Sequence, residues 1–392
     1  MHSPSLTPHN MTGRIPQLDG IRGIAISLVV LWHYLAGFVW HDPISPEPGS
    51  FTHYLLRLNS MNWSGVDLFF VLSGFLIGGI LLDLRGSRTY FWSFYIRRAF
   101  RILPLYFLVM AIVYLFHNQI ASVSSCCQIA SWFWYLTIAQ NIWIALNNSW
   151  DIWYSVWSLG VEEQFYIILP FIIRFTPPHY LRAVLVSAIA ASIAHRCQIA
   201  LTATAPTIAP HVLFTTRADT LLIGVLCADF VRDHAISEWL RRNVSKLYIS
   251  LAIFGAMFAT MLVMRWSIGT IPLETIGYDV IAAFYILALL IAITEARGLV
   301  SWVTLASPLQ WLGRRAYFIF LVHSYLPPYV FYLVGKRFAG SEADWGLLAA
   351  SFVIVLGLAE ISWRYFEEPQ IKIGHRLSKV RLSVGSIFLT RR

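Results

Sequence analysis

Arg22 and His33 lie eleven positions apart in Leu18–Tyr34, LDGIRGIAISLVVLWHY, with an uncharged apolar run between them. Ionisable groups at membrane depth are expensive, so each is a functional-site candidate by default. Eleven helical residues turn through about 1100°, three turns plus about 20°, and rise about 16 Å. The two side chains therefore share one helix face, with Arg22 at one membrane rim and His33 deeper. An imidazole titrates near neutrality and suits general-base work. Taken singly, Arg22 also reads as a snorkelling residue and His33 as a group bonded to a neighbouring helix. Their shared face favours one stripe turned into a bundle.

Further polar residues fall at matching depth. Asp67 opens the second apolar run. Glu162 lies about 8 Å and Arg217 about 9 Å into their runs, with Asp219 a little below, at about 1.5 Å per residue. His195 and Arg196 approach the same level, and the group is expected to converge near His33. The rival reading is structural: Arg217 neutralised by Asp219 or Glu162. On the other side, FYIRRAFRILPLYF supplies Arg97, Arg98 and Arg101 ahead of Pro104. Arg98 and Arg101, three apart, face the same way on a helix. With Arg22, Arg314 and Arg315 they form a basic mouth suited to phosphates, or carry only the positive charge usual for cytoplasmic loops. No G-x-S-x-G, Walker A, H-E-x-x-H or C-x-x-C pattern occurs, so hydrolase, nucleotide-hydrolase and zinc-protease readings lack their motifs. Cys126, Cys127, Cys197 and Cys227 show no metal spacing and no disulfide framework. No metal is expected.

The elements that must position these groups are membrane helices. The chain has 392 residues, 57% apolar and 12% charged, with mean hydropathy +0.63. In soluble domains about a quarter of residues are charged. Many apolar runs reach the roughly 20 residues that span a bilayer, whereas a β-barrel would show short alternating segments. The fold class is an all-α, polytopic membrane bundle. Ten spans are expected, at about 19–40, 64–83, 98–117, 157–174, 182–201, 211–231, 246–265, 276–294, 316–335 and 345–366. Residues 129–146, short and interrupted by Gln140 and Asn141, are expected to be re-entrant or interfacial. Residues 297–313 are expected along the inner interface.

With ten spans and a cytoplasmic N-terminus, 23 of the 29 Lys and Arg fall on the inner side. Arg57, Arg265, Lys336 and Arg337 fall outside, and Arg196 and Arg217 lie within spans. An eleventh span at 129–146 would destroy that asymmetry. Both termini are then cytoplasmic, with residues 118–156 outside. Positive-inside bias also explains the net charge of +9, so no nucleic-acid partner is expected. No removable signal peptide and no internal repeat is expected. The domain reading is a cytoplasmic segment 1–17, a transmembrane domain 18–371 and a basic tail 372–392.

These stretches together resemble the bacterial acyltransferase 3 family, over Leu18 to about Arg376. Arg22 and His33 match its Arg/Lys-x10-His motif. GVDLFFVLSGFLI (Gly65 to Ile77) matches the motif around its second span, and Arg98 with Arg101 its Arg-x-x-Arg element. VWSLGVEEQFY (Val156 to Tyr166) matches its Trp-Ser/Thr-Leu-x-x-Glu element, with the acid at Glu162. TRADTLLIG resembles its Arg-x-Asp segment, although Ala218 stands where relatives often carry a large residue. WLGRRAYFIFLVHSYL and RYFEEP resemble its C-terminal signatures.

The resemblance implies O-acylation of extracytoplasmic glycans in a bacterial cytoplasmic membrane. The donor would be acyl-CoA, usually acetyl-CoA, used as a co-substrate with no bound cofactor. The acceptor would be a sugar hydroxyl of a glycan or glycolipid. Lipopolysaccharide, exopolysaccharide, a lipo-oligosaccharide signal and a macrolide-like molecule all fit. Some members carry a C-terminal esterase-like domain; the sequence ends before one, so a later transfer is expected to need another protein. Arg22, Arg98 and Arg101 would hold the CoA phosphates, and His33 would be the essential catalytic residue. Glu162 would orient His33, share its proton or position the acceptor. Asp67, Arg217 and Asp219 would position the acceptor. The rival from another class is a transporter or flippase for a glycan or small anion, for which an inverted repeat would speak; a third is a scaffold or sensor.

Overall fold

A computed structural model describes residues 15–41, 49–123, 130–151, 153–335 and 345–379. In hydrocarbon every backbone donor and acceptor must be paired internally, which favours helices. Among the described residues there is no β-strand. The helices are α1 (Pro16–His41), α2 (Phe51–Asn59), α3 (Gly65–Leu84), α4 (Tyr90–Val123), α5 (Trp132–Leu136) and α6 (Gln140–Asn147). Next come α7 (Trp157–Phe175), α8 (Pro178–Thr202), α9 (Ala209–Val212), α10 (Phe214–Phe230), α11 (His234–Arg242) and α12 (Val244–Val263). The last are α13 (Tyr278–Thr294), α14 (Leu299–Thr304), α15 (Ser307–Val322), α16 (Leu326–Leu333), α17 (Trp345–Ser362) and α18 (Glu368–Lys379). Among the described residues nine helical stretches are long and apolar enough to cross a membrane, and ten if α15 and α16 count as one span.

That α15–α16 pair bends by 62°. The expected straight span at 316–335 is therefore broken, and the reason is local. Pro327 and Pro328 have no N–H for the preceding turn, so the helix cannot run through them. It restarts with the prolines in the first turn of α16, where they are tolerated. Of residues 297–313, Leu299–Thr304 form α14 and 307–313 are the start of α15.

The 129–146 region forms two helices of five and eight residues, α5 and α6, too short to cross about 30 Å of hydrocarbon. Between them Ile138 adopts φ +53°, unusual for a β-branched residue. The turn buries Gln140 and Asn141. Asn141 Nδ2 donates to Val212 O at 3.2 Å and Gln164 Nε2 to Asn141 Oδ1 at 3.0 Å, so the two amides plug into the bundle.

At the centre, α1 packs between α15 and α3, α3 packs on α10, and α18 lies along α4. Small residues let the backbones approach. A Cβ on Gly313 would collide with the Asp19 carbonyl, and one on Gly23 with the Leu309 carbonyl. The close approach of α1 to α15 brings the opening Arg22/His33 stripe against the end of α15.

The domain boundary expected at 371/372 falls inside α18. Residues 1–14 of the N-terminal segment, 380–392 of the tail, and the loop positions Cys126, Cys127, Lys336 and Arg337 lie outside the described residues.

Candidate active site

Arg22, Arg98 and Arg101 line one cavity of about 320 Å³, together with Arg314. Its walls come from α1, α3, α4, α7 and α15 and from a π-helical turn, Trp363–Glu367. Such turns recur at functional sites. Arg22 Nη1 lies 3.2 Å from Asp19 Oδ1. The Arg98 guanidinium stands 5.5 Å from the Tyr166 ring centroid. Arg314 Nε is buried without a hydrogen-bond partner among the described residues. Two neighbouring arginines point elsewhere. Arg97 Nε donates to Ser378 Oγ at 2.9 Å and fixes α18, while Arg315 pairs with Glu360.

Glu162 lines this same cavity. Its oxygens accept from Ser73 Oγ at 2.8 Å and from the Tyr166 hydroxyl at 3.0 Å. Depth along the helix put Glu162 at the level of His33, but its carboxylate faces the arginine cavity, whose lining does not include His33. Depth along a helix sets height but not direction, and α7 turns this carboxylate toward the arginines.

His33 does not line the cavity; its partner is His323, which the sequence reading assigned no role. His323 Nε2 lies 3.0 Å from His33 Nδ1, with ring centroids 4.8 Å apart. His323 is fully buried and sits just past α15, where the helix breaks. The Tyr154 ring lies 5.3 Å from the His33 ring. Phe69 and Phe320, which line the cavity, pack edge to face at 6.4 Å. The Phe320 carbonyl accepts from His323 Nδ1 at 2.8 Å, so the imidazole pair sits one helical turn from the cavity wall. A histidine in an apolar stretch just before Pro-Pro was the signal that could have found it.

Asp67, Arg217 and Asp219 form a third cluster, away from the cavity lining. Arg217 pairs with Asp67, and its guanidinium carbon lies 3.7 Å from the Tyr278 ring centroid. Arg196 pairs with Asp219 and, at 2.8 Å, with Asp279. Both arginines are fully buried. His211 Nδ1 lies 2.5 Å from the Tyr278 hydroxyl, in a box of Trp63, Trp150 and Trp157. The three residues are brought together as ion pairs, but Arg217 is paired with Asp67 rather than with Asp219 or Glu162, and Asp219 is paired with Arg196. His195 makes no part of this network, whereas Arg196 is its hub. Among the described residues no group of three or more His, Cys, Asp or Glu could hold a metal ion.

These features define a polytopic helical membrane protein with a basic cavity and an imidazole pair formed between α1 and the end of α15. Residues 15–364 match the acyltransferase domain of the acyltransferase 3 family, and the chain belongs to that family. It is 28% identical, over 95% of its length, to the putative peptidoglycan O-acetyltransferase YrhL of Bacillus subtilis strain 168. It is 27% identical over 92% of its length to the peptidoglycan O-acetyltransferase OatA of Listeria monocytogenes. To the O-acetyltransferase OatA of Staphylococcus aureus strain NCTC 8325 it is 24% identical over 92% of its length. The chain spans 57%, 56% and 58% of those relatives, respectively. No solved structure matches it.

Proposed function

We propose that this protein is a membrane O-acetyltransferase that moves an acetyl group from acetyl-CoA to a glycan hydroxyl. The observation that carries the proposal is the cavity shared by Arg22, Arg98, Arg101 and Arg314, built on the same helix that presents His33. Guanidinium groups suit phosphate oxygens because their donors form a planar fork. The unpartnered Arg314 Nε adds a donor that a phosphate would satisfy. The CoA phosphates sit against these arginines and the acyl-pantetheine arm extends along α1 toward His33.

His33 then acts as general base. The acceptor O–H bond breaks as its proton goes to the imidazole, and the oxygen attacks the thioester carbonyl. The C–S bond breaks, and the thiolate takes the proton back to leave as CoA. A covalent acyl-histidine is the other route. Glu162, held by Ser73 and Tyr166, offsets part of the arginine charge and orients Tyr166 against Arg98. The Asp67, Arg217 and Asp219 cluster holds the opposite half of the bundle in shape around the acceptor path.

The acceptor we propose is a cell-envelope glycan, with peptidoglycan the first to test because two relatives are named for it. The protein sits in a bacterial cytoplasmic membrane with both termini cytoplasmic, a reading supported by the charge asymmetry. Purified protein in nanodiscs is offered labelled acetyl-CoA with soluble peptidoglycan fragments or other envelope glycans. The expected result is O-acetylated glycan and stoichiometric CoA. Glycan-independent failure to consume acetyl-CoA would refute the donor assignment.

A further inference from the structure

We propose that His323 is the positioning partner of His33, receiving its Nδ1–H and stabilising the imidazolium that forms during transfer. The chemistry rests on the acyl-transfer reading above; the geometry stands by itself. His323 Nδ1 lies 2.8 Å from Phe320 O and 3.0 Å from Ile319 O. Carbonyl oxygens only accept, so this nitrogen carries the proton and Nε2 keeps a lone pair. That lone pair faces His33 Nδ1 at 3.0 Å. His33 Nδ1 is also 2.8 Å from Val29 O, another pure acceptor. The network therefore assigns the proton of His33 to Nδ1 and leaves its Nε2 as the nitrogen free to react.

The break in α15 creates this arrangement. Where the helix stops before Pro327, its last carbonyls lose their N–H partners. His323 fills part of that gap with its own side chain. Trp153 Nε1 donates to Leu321 O at 3.1 Å, and the Ser155 and Ser324 hydroxyls meet at 2.8 Å. The chain on either side of His323 is thereby pinned, and His323 itself is fully buried. It does not touch the substrate.

In the step itself, His33 Nε2 gains the acceptor's proton and the ring becomes a cation. Its Nδ1–H bond to His323 Nε2 is then charge-assisted, which strengthens it. When the departing thiolate takes the proton from Nε2, the His33 ring returns to neutrality; His323 stays neutral throughout. No other reactant is needed. The part played by His323 is that of the third member of a nucleophile–base–orienter array.

Two substitutions separate acceptance from shape. His323→Leu keeps bulk and removes the acceptor; His323→Gln keeps an oxygen where Nε2 stood. We expect kcat to fall about 100-fold or more in His323→Leu and to stay within about tenfold of wild type in His323→Gln. The KM for acetyl-CoA is expected to change less than about twofold in both. A wild-type kcat in His323→Leu, or equal losses in the two variants, overturns the proposal. A second readout needs no turnover. In 15N-histidine-labelled protein, the His33 Nδ1 proton is identified by its loss in His33→Gln. It is expected downfield in wild type and upfield in His323→Leu. An unchanged signal overturns the proposal. The expected shift in a protein that transfers no acetyl group would support the imidazole bond and refute the transfer reading instead.

Discussion

At the scale of single residues, Arg98 and Arg101 are separated from Arg97 by direction alone. On the proposed donor site, Arg98→Ala and Arg101→Ala would each remove a charge-assisted phosphate contact worth about 1.5–3 kcal/mol. Calorimetry with CoA should show Kd raised about tenfold or more for each, with Arg97→Ala unchanged because that side chain serves Ser378. A CoA affinity unaffected by Arg98→Ala and Arg101→Ala would move the donor out of this cavity. Asp151 offers a test of a different kind. It is fully buried between spans, and burial pushes its carboxyl up to about 7. An unfolded aspartate titrates near pKa 3.9. Between about pH 4 and 7 the folded state therefore holds a proton that the unfolded state has lost, and stability falls as pH rises through that window. Asp151→Asn should melt at a higher temperature than wild type at pH 8 and at the same temperature at pH 4. Equal melting at pH 8 would show that Asp151 is not a buried, destabilised carboxylate. Arg98 and Arg101 were legible as neighbours because their i, i+3 spacing sets a common face, and the basic mouth they form with Arg22 was legible from charge at one rim; the packing that brings α4 and α1 to one cavity was not. Glu162 was legible as a polar group at depth, but not which cluster it joins, since that depends on the rotation of α7.

At the scale of elements, the contact of α1 with α15 brings the cavity and the imidazole pair onto shared walls. Gly313→Val places a branched side chain against the Asp19 backbone. Overpacking costs about 1–3 kcal/mol, so the melting temperature and transfer activity are expected to fall together. A variant that keeps wild-type melting but loses transfer would mean that the crossing is not what Gly313 secures. The Asp67–Arg217 pair tests the third cluster. Breaking a buried ion pair costs about 3–5 kcal/mol, while replacing both members by apolar residues can be neutral. Arg217→Met should destabilise strongly, and Asp67→Leu combined with Arg217→Met should recover most of the loss. If the single variant instead folds normally and raises only the KM for glycan, these residues handle the acceptor. Most spans were legible because a bilayer imposes long apolar runs. The break at α15–α16 was not inferred, although Pro327 and Pro328 were in view, because hydropathy averages over a kink. His323 was missed with it, since its place at a freed helix end exists only once the helix is seen to stop.

At the scale of the whole molecule, α1 joins a basic cavity near its start to His33 three turns along, where it meets His323 at the end of α15. The orientation in the membrane rests on charge distribution. Reporter fusions after Arg85 and after Lys379 are both expected to report cytoplasm; opposite signals would mean an odd number of crossings between them. The most direct test of His33 as the base is transfer of labelled acetyl from acetyl-CoA to glycan by His33→Gln protein in nanodiscs. Glutamine keeps a hydrogen-bonding side chain but cannot take a proton. The expected result is transfer at background level with CoA binding and melting temperature unchanged. Transfer at the wild-type rate would show that His33 is only a structural hydrogen-bonding group and that the chemistry lies elsewhere.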